Sequence, residues 1–149
     1  YRPSGSQTSL GRAAVDSGAD IVYGSHPHVL QSIEEYNGAY IIYSLGNFVF
    51  GGNTNPRDKD TAIVQFTIKR AASGEVTVEG MEKIPCSLTS TAGMNDFRPE
   101  PYEEGTEEYE RAMSKLDGTF TGPNLVIDYS EYHESPSPSP AEGGSEDES

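Results

Sequence analysis

The stretch Gly18-Ala19-Asp20-Ile21-Val22-Tyr23-Gly24-Ser25-His26-Pro27-His28-Val29-Leu30-Gln31 decides how the rest of the chain is read. Upstream of it, residues 7–18 carry Leu10, Ala13, Ala14 and Val15 on one side and end at Gly18, the pattern of a helix closing on a glycine C-cap. The run from Ala19 to Gly24 is short, β-branched and glycine-terminated, which predicts a buried strand leading into a loop. Loops at that end of a strand are where open α/β sheets place ligands. Here the loop holds His26-Pro27-His28. Two imidazoles one residue apart in an extended loop can approach one metal ion or two adjacent ones, and neutral imidazole is a common ligand for Zn, Fe and Mn. Pro27 stiffens the pair by fixing φ. Spacing alone serves a structural pair as readily as a ligand pair.

Outward from this loop, the pattern is of paired strands. Residues 30–36 and 39–44 flank Asn37-Gly38, whose tolerance of positive φ predicts a type I′ hairpin turn. Residues 51–60 form a polar loop rich in Gly, Asn, Pro and Asp. Residues 61–69 then alternate, Ile63, Gln65 and Thr67 opposing Val64, Phe66 and Ile68, and after Ser73-Gly74 a second antiparallel strand continues through Val76, Val78, Met81 and Ile84. Residues 85–105 read as polar loop. A helix is expected over residues 106–116, with Thr106 as N-cap ahead of Glu107 and Glu108, and Tyr109, Met113 and Leu116 on one face. Residues 124–130 suit a last short strand. This order predicts a layered α/β fold.

The 149 residues are those of one ordinary domain, but only 34% are hydrophobic, below the roughly 45–50% of globular chains. The deficit is uneven. Residues 1–95 carry nine acidic and seven basic side chains, a net of −2, whereas residues 96–149 carry fifteen and three, a net of −12. The acidity excludes nucleic-acid binding, which needs clustered Lys and Arg against phosphates. From His133 onward the chain is Ser-Pro repeats and acidic residues, with nothing apolar to offset the cost of ordering, so 131–149 is expected to be a disordered tail in which His133 is inert. No run reaches the roughly 18 apolar residues of a membrane span. Cys86 stands alone, which rules out a disulfide framework and fits a small packed side chain. The chain opens on Tyr1 rather than Met, inside what reads as an ongoing element, and is expected to be a fragment or a processed product. No nucleotide-binding glycine loop is present, and Ser44-Leu45-Gly46 lacks the geometry of a nucleophile elbow.

The stretch from Gly18 to Gln31 resembles a hallmark of the bacterial CapA family, named for poly-γ-glutamate capsule synthesis. Tyr43-Ser44-Leu45-Gly46-Asn47-Phe48-Val49-Phe50 resembles a second hallmark, and Pro56-Arg57-Asp58-Lys59-Asp60-Thr61, Ile84-Pro85-Cys86-Ser87 and Asn95-Asp96-Phe97-Arg98-Pro99 are similar to the family's C-terminal portion. The resemblance runs from Tyr1 to about Leu116. It implies that residues 1–130 are the C-terminal portion of a calcineurin-like metallophosphoesterase domain, a β-sandwich flanked by helices around two divalent metal ions (Mn, Fe or Zn). It implies His26 and His28 as metal ligands, with Ser25 at an inserted position. Two such ions, about 3.5–4 Å apart, clamp phosphoryl oxygens and acidify a water between them.

The same resemblance implies a role in capsule polymer biosynthesis at the cell envelope, extracytoplasmic and membrane-associated, with an anionic polymer or phosphoester as substrate and other capsule-synthesis proteins as partners. By resemblance Asn47 faces the site and can orient a ligand or substrate oxygen; its bland reading is a strand-end turn residue. Arg57 and Lys59 can contact an anionic substrate or belong to a solvated loop beside Asp58 and Asp60. The family's remaining ligand motifs lie upstream of Tyr1, and two imidazoles fall short of the three or so protein ligands of a catalytic zinc. The chain alone is therefore not expected to assemble the site. A non-catalytic envelope scaffold and an inactive truncated product are the competing expectations.

Overall fold

The computed structural model describes residues 1–123; the strand expected over 124–130 and the tail lie outside the described residues. Helix α1 (Gly5–Asp16) starts at a capping box. The Ser4 hydroxyl accepts from the Gln7 N–H while the Gln7 amide accepts from the Ser4 N–H. It ends at Ser17 and turns through Gly18 at φ 104°, as the sequence pattern requires.

Strands β1 (Ile21–Tyr23), β2 (Ile33–Tyr36) and β3 (Ala39–Ile42) form one sheet in the order β1-β3-β2. β2 and β3 are the expected hairpin, with Asn37 at φ 49° and Gly38 at φ 81°. β1 runs parallel to β3, Val22 opposite Ile41. The expectation of a buried β1 fails. Among the described residues it is an edge strand with β3 as its partner, its Ile21 and Val22 half-buried and Tyr23 62% exposed. Hydrophobic runs mark a strand, but a neighbour on each side is what buries it.

β4 (Asp60–Arg70), β5 (Val76–Ser87) and β6 (Glu100–Pro101) form a second, antiparallel sheet. The register shifts between Thr67 and Ile68, which face Gly80 and Val78, so Glu79 is the extra residue of a bulge. β5 outlasts the sequence reading, continuing through Pro85 to Ser87, and β6 lies within the stretch expected to be loop. Pro85 is tolerated because its carbonyl, and hence its missing N–H, faces the β6 side. There the carbonyl accepts from the Tyr102 N–H at 2.9 Å, and the β4 ladder loses nothing. The observed architecture is thus mixed α/β: two three-stranded sheets and two helices among the described residues.

Two clusters hold these parts together. Val15 of α1 packs on Ala39, Ile41 and Tyr43, with Val22 and Tyr36 at the margin. Tyr43 is itself core, its hydroxyl donating to Glu34 at 2.5 Å. The second cluster, Leu30, Ala62, Ala112 and Leu116, joins the chain after β1 to β4 and to helix α2 (Glu107–Leu116). Leu30 also bridges Leu45, whose carbonyl accepts from the Thr61 hydroxyl at 2.8 Å, so the two sheets are tied at that point. Cys86 is buried as expected, and burial pushes its thiol up and leaves it unreactive.

Under α2 lies a group of charges. Lys115, 3% exposed, donates to both oxygens of Asp58 (3.1 and 2.9 Å) and to Asp60 (2.7 Å). Arg111 grips Asp60 through two nitrogens at 2.9 and 2.8 Å, and the Tyr102 hydroxyl donates to Asp60 at 2.8 Å. The Lys115 ammonium lies 4.1 Å from the centre of the Tyr1 ring. Asp58 and Asp60 are therefore not part of a solvated loop.

Burial by itself would raise the Asp60 carboxyl, but hydrogen bonds from Arg111 and Lys115, the Lys115 charge and the Tyr102 hydroxyl together hold it below the usual carboxylate range. Its contribution to stability is then complete above the unfolded value of about 3.9. That contribution is lost as pH falls below this value through the folded one. The urea midpoint is expected to drop between about pH 5 and pH 2. Asp60→Asn should lower the neutral-pH midpoint and flatten that slope; an unchanged slope would contradict the assignment.

Candidate metal-binding loop

The loop begins where β1 meets the end of β3. The Gly24 N–H donates to the Ile42 carbonyl at 2.7 Å, the last rung between the two strands. A Cβ at Gly24 would lie 2.6 Å from the Tyr43 carbonyl oxygen, so only glycine permits this approach. The chain then leaves the sheet through residues 25–28 and returns at Val29 and Leu30, both buried. Within the excursion His26 sits at φ 95° and His28 at φ 59°. His28 lies in the left-handed region that histidine enters more readily than most side chains. His26 is further out, at a cost on the order of 1–3 kcal/mol. Both imidazoles are exposed, with ring centres 5.8 Å apart and planes tilted by 53°.

The second sequence hallmark supplies the wall behind His28. Gly46 turns at φ 72° under the Asp60 carbonyl, where a Cβ would come within 3.0 Å, and this delivers Asn47 inward to 8% exposure. The Asn47 Oδ1 lies 2.6 Å from His28 Nδ1, and its Nδ2 donates to the His28 carbonyl at 3.4 Å. Phe50 packs on the same ring with centres 5.1 Å apart. Phe50 is held in turn by Asn95, whose Nδ2 donates to the Phe50 carbonyl at 3.1 Å.

His26, His28 and Asn47 are therefore brought together. Arg57 is exposed on the following loop. Lys59 directs its ammonium to the backbone carbonyls of Ala92 (3.4 Å) and Gly93, fastening its loop to the segment after β5. That segment is knotted by Asp96, which accepts from the Ser90 hydroxyl (2.6 Å) and the Thr89 hydroxyl (2.9 Å). Those bonds, Ser90's first, hold its carboxyl well below the usual range.

The contribution of Asn95 and the whole Lys115 cluster were missed from sequence. The cluster had a readable signal: Asp58 and Asp60 are two apart, and Arg111 and Lys115 are four apart on one helix face.

With metal–nitrogen bonds of about 2.0–2.1 Å, a ring centre lies roughly 3 Å from its ion, so rings near 6 Å apart can share one ion or serve neighbouring ones. The two imidazoles fit as partial ligands. Among the described residues no group of three or more His, Cys, Asp or Glu is arranged to hold a metal, so any further ligands would come from elsewhere.

Comparison with known proteins bears on this stretch directly. Residues 1–52 match the family described as bacterial capsule synthesis protein PGA_cap. The chain is 50% identical over 76 residues to the PGA biosynthesis protein CapA of Bacillus subtilis (strain 168), which covers 51% of this chain and 20% of that protein. It is 52% identical over 97 residues to the capsule biosynthesis protein CapA of Bacillus anthracis, covering 63% and 23% respectively. An uncharacterized Sinorhizobium fredii protein, y4sH, is 40% identical over 58 residues, covering 39% of this chain and 13% of that protein. The chain thus spans about a fifth of the length of the CapA relatives it matches. No solved structure matches. The stretch that carries the two imidazoles and Asn47 is thus the part of this chain that matches the bacterial capsule synthesis family, and the chain is similar to the CapA proteins.

Proposed function

We propose that the chain serves capsule polymer biosynthesis at the cell envelope and contributes a two-imidazole share of a divalent-metal centre with phosphoesterase-like chemistry. The observation that carries this reading is the His28 ring, fixed between Asn47 and Phe50 with His26 5.8 Å away on an exposed loop. His26 and His28 would hold the ions (Mn, Fe or Zn), which when bound supply Lewis acidity toward the oxygens of a phosphoester. Residues of this chain do the rest: Gly24 and Gly46 bring the two hallmarks together, and Asn47 and Phe50 orient one ligand. The substrate class is a phosphoester or an anionic polymer, with Arg57 as the exposed cation on the neighbouring loop. The names of the Bacillus relatives, a PGA biosynthesis protein and a capsule biosynthesis protein, support the pathway. No described helix is long and apolar enough to cross a membrane.

A second reading is a non-catalytic assembly role, since the names of the Bacillus relatives state a pathway and no reaction. One experiment separates them. The chain should bind Co2+ or Zn2+ at least tenfold more tightly than His26→Ala/His28→Ala; equal binding would end the metal reading. Grafted in place of the matching stretch of the Bacillus subtilis relative, the chain should support polymer formation. The double-alanine graft should abolish it. Polymer formation by that graft would leave the assembly role standing.

A further inference from the structure

We propose that Asn47 is a positioning residue: it locks His28 as the Nδ1–H tautomer and leaves Nε2 as the outward lone pair. This rests on the metal reading only for what Nε2 is used for. The 2.6 Å contact between His28 Nδ1 and Asn47 Oδ1 is too short for a ring carbon, which fixes the face of the imidazole. The amide orientation follows from its second contact. Asn47 Nδ2 meets the His28 carbonyl oxygen at 3.4 Å, and exchanging the amide atoms would set two acceptors against each other there. Oδ1 only accepts, so Nδ1 must donate, and in a neutral imidazole the proton on Nδ1 is absent from Nε2.

Two features make the lock firm. Asn47 is 8% exposed and directs both ends of its amide at His28. Phe50, held by Asn95, limits rotation of the ring from the other side. His28 Nε2 has no hydrogen-bond partner among the described residues. The arrangement is that of an outer-shell amide presenting an imidazole to a borderline divalent cation, and loss of such a partner weakens metal binding by about 10–100-fold.

The test is ring-nitrogen NMR of the full chain near pH 8. His28 should show a protonated Nδ1 and a bare Nε2, and Asn47→Ala should shift it toward the Nε2–H form. Asn47→Asp keeps an acceptor facing Nδ1 and should restore the wild-type pattern, which a merely structural role would not do. Amide spectra of both variants report whether the fold survives. A His28 that is Nε2–H in the wild type, or unchanged in Asn47→Ala, would overturn the proposal. A Zn2+ titration of the same samples separates the two ideas. If the tautomer follows Asn47 while His28→Ala leaves Zn2+ affinity unaltered, the positioning stands and the metal reading falls.

Discussion

Lys115→Ala is expected to destabilise the folded chain by about 3–5 kcal/mol, because it leaves the buried Asp58 carboxylate without its cation and takes one of two cations from Asp60. Lys115 is the shared partner of Asp58 and Asp60, at 2.9 and 2.7 Å, all three lying within the fold. Arg111 would still face Asp60, but Asp58 would lose its ammonium and keep the cost of burial. The Lys69–Glu79 pair makes the contrast. Its distance is similar, 3.0 Å, but both side chains are largely in solvent, and Lys69→Ala should cost no more than about 0.5 kcal/mol. Lys115→Met/Asp58→Leu, which removes the stranded charge together with its partner, should recover much of the loss. Urea unfolding followed by circular dichroism measures all of these variants; a Lys115→Ala cost below about 1 kcal/mol would mean the cluster is hydrated and contributes little. The consequence reaches the histidine loop, since the cluster pins α2 to the start of β4. Asp60 there also roofs Gly46 and so bears on where Asn47 points.

What could be read from the sequence divides along a physical line. Local rules carried far: Gly18 closes α1, Thr106 caps α2, Asn37-Gly38 turns the hairpin, and the alternation after Thr61 gives β4, whereas the Ser4 cap that starts α1 went unread. Each of these is decided within a few residues, by backbone angles or by period. Failures came where a distant partner decides. β1 was expected to be buried from its composition, yet among the described residues it is an edge, because strand burial depends on what lies on its other side. Asp58 and Asp60 looked like solvent-facing charges until the helix some fifty residues later brought Lys115 and Arg111 against them. β5 ran past Pro85 because the missing N–H faces the short β6 side, which composition cannot show. The candidate site shows the same split. His26 and His28 announce themselves by type and spacing. Asn47 was seen as facing the site, but its attachment to His28 required knowing that Gly24 and Gly46 press the two hallmarks together.

Gly24→Val should cost about 1–3 kcal/mol of stability and, more tellingly, detach the histidine loop from its support. The reason is contact with backbone rather than with a yielding side chain. The Cβ would meet the Tyr43 carbonyl oxygen at 2.6 Å and the Ile42 carbonyl oxygen at 3.3 Å, so β1 itself must move. β1 can move, being a three-residue edge strand whose last rung is the Gly24–Ile42 hydrogen bond. The loop carrying His28 would shift with it, while Asn47 is held from the other side by the turn at Gly46 and would stay. The 2.6 Å contact between them should therefore open. In the ring-nitrogen spectrum Gly24→Val should then resemble Asn47→Ala, although residue 24 touches neither partner. Gly5 serves as control: it opens α1, and a Cβ added there would meet nothing within 4 Å, so Gly5→Ala should be neutral or slightly stabilising. If Gly24→Val destabilises the chain yet leaves the His28 tautomer intact, the loop holds its shape independently of β1. Its geometry would then come from His26, Pro27 and His28 themselves, whose strained backbone would be an intrinsic property of the loop rather than one imposed by the sheet.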